Sequence, residues 1–160
     1  MIVNYNPQMQ TGVRLDRPAA QLPQNTTGDI FYVTGGTIVI ADMIGTVTTQ
    51  MDAVATTVKA RFYEPAHGNT YDLCVYSASI SGAPVGTHLY ITVSYVAMGT
   101  DIATRSGWCD GWPSTANRPY MNVKPAGTIR IQTTGSNVGG AVAWSLWYIP
   151  LDDSVSVAAA

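Results

Sequence analysis

The stretch AVAWSLWYIPL at residues 141–151 places large apolar side chains at every second position. One face of this stretch carries Val142, Trp144, Leu146 and Tyr148. Because successive side chains of a β-strand point to opposite sides, the alternation predicts a strand with one face against a core. Trp147 falls on the other face from Trp144. We expect one of the two tryptophans in the core and the other covered by a loop, a sheet edge or a neighbouring subunit.

Strand patterns of the same kind recur along the chain from Asp29 onward. The predicted strands cover residues 30–33, 37–50, 55–63, 71–80, 89–97 and 128–133. The glycine pairs at 35–36 and 139–140 predict hairpin turns, because glycine readily adopts a positive φ, and Gly45 predicts a β-bulge. About eight strands separated by Gly- and Pro-rich turns predict an all-β, single-domain fold, either a β-sandwich or a jelly-roll-like barrel.

The two ends of the chain differ from this pattern. Residues 1–28 contain three prolines, many Gln and Asn residues and no sustained hydrophobic period. Proline fixes φ and lacks an amide donor, so we expect an extended N-terminal arm outside the core, either disordered or laid along a neighbour. Residues 29–153 form the predicted sandwich domain, and residues 154–160 form a C-terminal tail.

The composition is unusually poor in charge. Charged residues make up 11% of the chain and the net charge is −2, whereas typical soluble domains carry about 25% charged residues. Binding to nucleic acid through a basic patch requires clustered Lys and Arg, so we do not expect it. Neither a signal-peptide pattern nor an apolar run of membrane-spanning length is present, which predicts a soluble protein made in a cytoplasm. In such a compartment we expect Cys74 and Cys109 to be free thiols, although their spacing does not exclude pairing.

A catalytic site is not apparent in the sequence. An enzyme requires a nucleophile with its base, a carboxylate pair or a cluster of metal ligands. The two histidines, His67 and His88, fall in separate predicted loops without Cys or Asp at ligand spacing. Asp152 and Asp153 follow the last predicted strand, where a solvated strand end is the default. We therefore expect no enzymatic activity, no metal and no cofactor.

One loop stands out in the second half of the chain. Residues 105–113 read RSGWCDGWP, with Trp108 and Trp112 four positions apart in a polar, irregular stretch. The two indoles could cap one end of the core, or they could form a contact platform for a protein or a sugar, since aromatic residues are enriched at binding hot spots. The predicted partner-binding residues are Trp108, Trp112 and Tyr120 in this region and Tyr5, Arg14 and Arg17 in the arm.

A resemblance to a known group of proteins adds to these patterns. The run TGDIFYVTGGTIVI at residues 27–40, continued at 44–49 and 56–59, resembles small structural proteins of tailed bacteriophages. Residues 127–130 and 144–151 resemble the closing strands of the same group. The resemblance implies a virion component on the outer capsid, a decoration (cement) protein. Such proteins are commonly β-rich and often trimeric, they sit at junctions between capsid subunits, and the family has no catalytic residues to carry over.

The lead hypothesis is therefore a capsid decoration protein that binds the major capsid protein and bridges neighbouring capsid subunits. It predicts a homo-oligomer, with a trimer favoured, on the outer capsid surface of the virion after synthesis in the host cytoplasm. A second hypothesis is a carbohydrate- or receptor-binding module of a phage tail or fibre, which would bind a glycan through Trp108, Trp112 and Tyr120. A minor neck or tail protein is a third.

Overall fold

The computed structural model of the chain describes residues 12–90, 99–101 and 122–160. These residues form β-strands and no helix, so none of them belongs to a helix that is long and apolar enough to cross a membrane. The strands are β1 Val13–Gln21, β2 Thr27–Thr34, β3 Ile38–Thr49, β4 Val58–Glu64, β5 Asn69–Asp72, β6 His88–Tyr90, β7 Gly99–Asp101, β8 Asn122–Lys124, β9 Gly127–Thr133, β10 Ala141–Pro150 and β11 Ser156–Ala159.

The strands form two antiparallel sheets. The first sheet has the order β1-β10-β3-β6-β7, and β8 also pairs with β3. The second sheet has the order β11-β2-β9-β4-β5. β3 is long enough to pair with β6 near Gly45 and with β8 near Val39. The all-β prediction is confirmed, and the short strands β5 to β8 and β11 raise the number of strands above the predicted eight.

Both sheets contribute their inward faces to one hydrophobic core. The predicted inward face of β10 is confirmed, because Val142, Trp144, Leu146 and Tyr148 are all buried. Trp144 is only 1% exposed, and the second sheet supplies the buried rings of Phe31 and Phe62. Trp147 lies on the outer face of β10, where the guanidinium carbon of Arg14 is 5.1 Å from its ring centre. Trp144 is thus the core tryptophan of the pair.

Gly45 makes room for the core tryptophan. It lies directly opposite Trp144 in the pairing of β3 with β10, and a Cβ at this position would lie 2.6 Å from Cζ3 of the indole. The bulge predicted at Gly45 is wrong, since the register between the two strands shifts instead where Ala41 and Thr48 have no partner. The glycine is required by side-chain packing and not by a backbone irregularity.

The two predicted hairpin turns are also wrong. The glycine pair at 35–36 connects β2 in the second sheet to β3 in the first. The pair at 139–140 likewise connects β9 in the second sheet to β10 in the first. Glycine is needed because other segments approach closely: a Cβ at Gly35, where φ is 77°, would collide with the carbonyl oxygen of Ser154. Asp152 is not a free strand end, because its Oδ2 accepts the Thr37 amide at 2.7 Å.

The strand predicted over residues 71–80 is largely irregular. β5 ends at Asp72, and the alternation that puts Tyr71, Leu73 and Val75 on one side does not hold, because Leu73 is buried whereas Tyr71 and Val75 are exposed. Side chains replace backbone partners here: the amide of Val58 donates to Ser77 Oγ at 3.0 Å and the amide of Ala60 to Cys74 Sγ at 3.2 Å. Because these side chains take up β4 donors, residues 73–80 lose the alternation of a regular ladder. The thiol of Cys74 is buried, and Cys109 lies outside the described residues.

The segment predicted to be an arm contains a strand of the first sheet. β1 pairs with β10 from Val13 opposite Tyr148 to Gln21 opposite Ala141. The prolines misled the prediction because Pro18 falls where the register of β1 shifts, and β1 is an edge strand, which tolerates a missing donor. Residues 1–11 lie outside the described part of the chain. At the other end, the predicted tail contributes β11, which pairs with β2.

Candidate functional site

The predicted partner-binding residues divide into two groups. Arg14 and Arg17 are described by the structure, whereas Tyr5, Trp108, Trp112 and Tyr120 lie outside the described residues. The contact platform and the glycan-binding hypothesis that depend on the two tryptophans therefore stay predictions. The structure does not bring Arg14 and Arg17 into one site, because they lie at an even and an odd position of β1 and point to opposite faces.

Arg14 belongs to a small polar cluster on the outer face of the first sheet. Its Nε lies 2.8 Å from Asp16 Oδ1, and Ser145 Oγ donates to the same oxygen at 2.6 Å. The hydrogen bond from Ser145, followed by that from Arg14, lowers the pKa of Asp16. The guanidinium lies over the Trp147 ring. This cluster covers the indole that faces away from the core.

Arg17 has a structural position at the edge where the two sheets meet. It is half-buried on the inner side of β1, and its Nε donates to the backbone oxygen of Ala160 at 3.2 Å. The amide of Ala160 in turn donates to the carbonyl of Ile30 in β2 at 2.9 Å. Arg17 thus joins β1 of the first sheet to the segment that follows β11 of the second.

The outer face of the second sheet carries a row of four charges that was not predicted. Asp29, Arg130, Arg61 and Asp72 lie opposite one another on the adjacent strands β2, β9, β4 and β5. We call these four residues the charged row. Arg130 Nε lies 2.8 Å from Asp29 Oδ1, and Arg61 Nε lies 2.7 Å from Asp72 Oδ1. The two arginines are direct cross-strand neighbours at its centre.

Lys59 adds a further positive charge beside this row. Its Nζ lies 2.8 Å from Asp72 Oδ2, so each oxygen of this carboxylate contacts one cation. Burial acts to raise the pKa of Asp72, but the hydrogen bonds and charges of Lys59 and Arg61 together lower it. The face therefore has an excess of one positive charge in a chain whose net charge is −2.

Tyrosines surround these charges. The Arg130 guanidinium lies 4.2 Å from the ring centre of Tyr63, and Lys59 Nζ lies 4.7 Å from that of Tyr76. The hydroxyl of Tyr32, an exposed residue, donates to Asp29 Oδ2 at 3.3 Å. Alternation along the predicted strand at residues 55–63 puts Lys59, Arg61 and Tyr63 on one side, and this is the only part of the surface that the sequence indicated. The alignment with β9 and β2 was missed because it depends on the register between distant strands.

The two histidines have different surroundings. His67 Nδ1 lies 2.8 Å from Glu64 Oε1, and the hydrogen bond from this imidazole lowers the pKa of Glu64. His88 was predicted in a loop, but it lies in β6 with its Nδ1 3.1 Å from Thr46 Oγ1. Within residues 12–90, 99–101 and 122–160, no three His, Cys, Asp or Glu side chains are grouped so that they could hold a metal ion.

Comparisons with known proteins yield no match, whether with protein-family models, curated proteins or solved structures. The candidate site therefore rests on its own geometry. The charged row with Lys59 and its surrounding tyrosines forms a broad, ordered, polar and aromatic surface.

The depressed pKa of Asp72 predicts a pH-dependent contribution to stability. A carboxyl group whose pKa is lower in the folded state stabilises the fold above its unfolded-state pKa of about 4, and this stabilisation is lost as the pH falls below that value. We expect Asp72→Asn to reduce the free energy of unfolding at pH 7 by about 1 kcal/mol or less, because the Asp72 side chain is 45% exposed. Urea unfolding of both proteins at pH 7 and at about pH 2 measures the difference.

The matched control is Asp153→Asn, an exposed carboxyl for which no ion pair is found among the described residues. It should leave the stability at pH 7 unchanged. If Asp72→Asn differs from the parent protein equally at both pH values, the effect comes from side-chain packing, and the electrostatic explanation is wrong.

Proposed function

We propose that the protein is a bacteriophage capsid decoration protein, which binds the outer capsid and stabilises it by bridging neighbouring major capsid subunits. Two lines of support converge on a structural binding role. One is the resemblance of residues 27–40 and 144–151 to small virion proteins. The other is the ordered polar and aromatic outer face of the second sheet, which is the observation that carries the proposal.

A β-sandwich would present this face to a partner. The inward faces of the two sheets share one core, and we interpret the sheets as the two layers of such a sandwich, with the charged row on the outside of one layer. The outer face of a sheet suits a capsid surface better than it suits a small ligand, because small-molecule sites are usually concave. We therefore propose a role without catalysis.

The ion pairs of this face favour binding. Ordering a long side chain at an interface costs about 0.5–1.5 kcal/mol. Lys59, Arg61 and Arg130 are already held by carboxylates, so part of this cost falls on folding and not on association. Arginine and tyrosine are also enriched among the residues that dominate binding energy. The surface is thus suited to repeated docking without rearrangement.

The stabilisation of a capsid would follow from mass action. A protein that binds only the assembled shell stabilises that state by an amount set by its concentration and affinity. We propose a trimer at junctions between subunits, as the resemblance implies, because several linked contacts gain from a high effective concentration. The protein would be made in the host cytoplasm and would act on the virion surface.

The number of copies per particle tests this proposal. Quantitative mass spectrometry of purified particles gives the ratio of this protein to the major capsid protein. We expect a ratio near one or a simple fraction of it. A handful of copies per particle would instead place the protein in the tail, neck or fibre, and its absence from particles would overturn the virion role.

A further inference from the structure

We propose that the outer face of the second sheet is the surface that contacts the capsid, and that Arg61 and Arg130 at its centre receive an acidic side chain of the partner protein. This inference rests on the proposed function and adds to it the surface and the chemistry of recognition. It is carried by the order of charges along the row, by the hydrogen-bonding capacity that the two arginines retain, and by their accessibility.

The order of charges leaves a positive centre. Arg61 and Arg130 are direct partners on β4 and β9, and like charges in this position destabilise a sheet. Asp29 and Asp72 offset this cost from the two ends of the row. An alternating order would have balanced the same four charges more evenly. A carboxylate of a partner protein, placed between the two arginines, would neutralise part of their positive charge.

The arginines retain donors for such a carboxylate. Arg61 uses Nε for Asp72 and Arg130 uses Nε for Asp29, the neighbouring aspartate in each case. Arg61 also donates from Nη1 to Gln132 Oε1 at 3.2 Å. The hydrogen bonds found among the described residues use neither terminal nitrogen of Arg130 and leave Nη2 of Arg61 free. Their planar, forked donors fit a carboxylate with two parallel hydrogen bonds.

Arg61 and Arg130 are exposed enough to contact a carboxylate of a partner protein. The side chains of Arg61 and Arg130 are 26% and 27% exposed, which leaves only part of each to solvent. The Arg130 guanidinium also lies over the ring of Tyr63. A charge-assisted hydrogen bond is stronger where water is partly excluded. The partner surface around the acidic side chain would exclude the remaining water.

The flanking aspartates favour a protein over a nucleic acid as the partner. The row spans four strands, about 14 Å at the usual spacing of about 4.8 Å between strands. A nucleic acid carries a charge roughly every 1.7 Å along its axis, so its phosphates would also meet Asp29 and Asp72. One compact carboxylate can bind at the centre and avoid both. The exposed ring of Tyr32 adds an apolar contact suited to a protein surface.

Binding of purified protein to phage particles that lack it tests this surface. Cosedimentation is measured for the parent protein, Arg61→Gln, Arg130→Gln and the double variant. Because truncating one side of a buried, hydrogen-bonded charge pair is costly, we expect the double variant to bind about 100-fold more weakly. Lys124→Gln removes one positive charge from β8, which pairs with β3 of the first sheet. It should change binding by less than about threefold. Thermal unfolding of each variant checks that it is folded.

The outcomes separate the two proposals. If the parent protein does not bind the particles, the proposed function fails. If it binds and the double variant binds equally well, the decoration role stands and the assignment of this surface is overturned. Greater weakening by Arg14→Gln on the first sheet would also overturn it. Sedimentation of the free protein tests a second copy as the occupant: an oligomer that the double variant dissociates would overturn the assignment to the capsid.

A second pair of variants keeps the test decisive if the glutamine variants do not fold. Arg61→Lys and Arg130→Lys keep the charge that Asp72 and Asp29 require but lose the forked donors. We expect these variants to fold and to bind about 10-fold more weakly than the parent protein. Unchanged binding would overturn recognition of a carboxylate by paired hydrogen bonds.

Discussion

We expect Trp144→Ala to lower the free energy of unfolding by about 3–5 kcal/mol, a large part of the stability of a domain of this size. The indole is 1% exposed and packs against the backbone of Gly45, which has no side chain to fill the space. Removing it leaves a cavity between the two sheets that neighbouring side chains fill only in part. Equilibrium unfolding in urea, followed by circular dichroism, measures the loss.

Trp147→Ala is the matched control, because it removes the same side chain from the same strand. Trp147 lies on the outer face under Arg14 and is half-buried, so we expect a loss of about 1–2 kcal/mol. Equal losses for the two variants would contradict the assignment of Trp144 as the core residue of the pair.

We expect deletion of residues 1–26 to unfold the protein or to make it aggregate. The deletion removes β1, exposes the edge of β10 and takes away Leu22, which is buried, together with Val13 and Leu15, which pack against the core. At about 1.5–3 kcal/mol for each buried aliphatic side chain, the loss is about 5 kcal/mol, comparable to the whole stability of many domains. Soluble yield and the melting temperature measure it.

Deletion of residues 1–11 is the companion experiment. It keeps the described pairing of β1 with β10, so we expect the melting temperature to change by less than about 3 °C, the shift caused by well under 1 kcal/mol. A large drop would show that stability depends on this segment and not on β1. The same variant also tests Tyr5, since loss of particle binding at unchanged stability would support its predicted role.

The strands that the sequence predicted well are those in which one face is buried and local alternation is complete. In β10, β9 and β4 the inward positions are occupied by residues such as Trp144, Ile131 and Phe62, all of which are buried. The sequence could not distinguish a hairpin from a connection between sheets, because both need glycine at a tight turn. It also missed β1, where Pro18 lies at an irregularity of an edge strand.

The candidate site was less predictable than the fold because it depends on register. Alternation placed Lys59, Arg61 and Tyr63 on one side of β4. The alignment of Arg61 with Arg130 arises only when β4 pairs with β9, some 70 positions later in the chain. Local patterns carry no information about that pairing. The residues around Trp108 and Trp112, where the sequence concentrated its functional prediction, lie outside the described part of the chain.

The pairing of early strands with late ones has a consequence for synthesis on the ribosome. β10 is the neighbour of both β1 and β3, and β9 is the neighbour of both β2 and β4. β1 and β2 therefore have no partner strand while residues 65–126 are translated, which takes several seconds at about 5–20 residues per second. During that interval β3 gains only the short strands β6 and β8 and β4 gains only β5, so the apolar faces of β2, β3 and β4 stay uncovered and the nascent chain would depend on chaperones until β9 and β10 emerge.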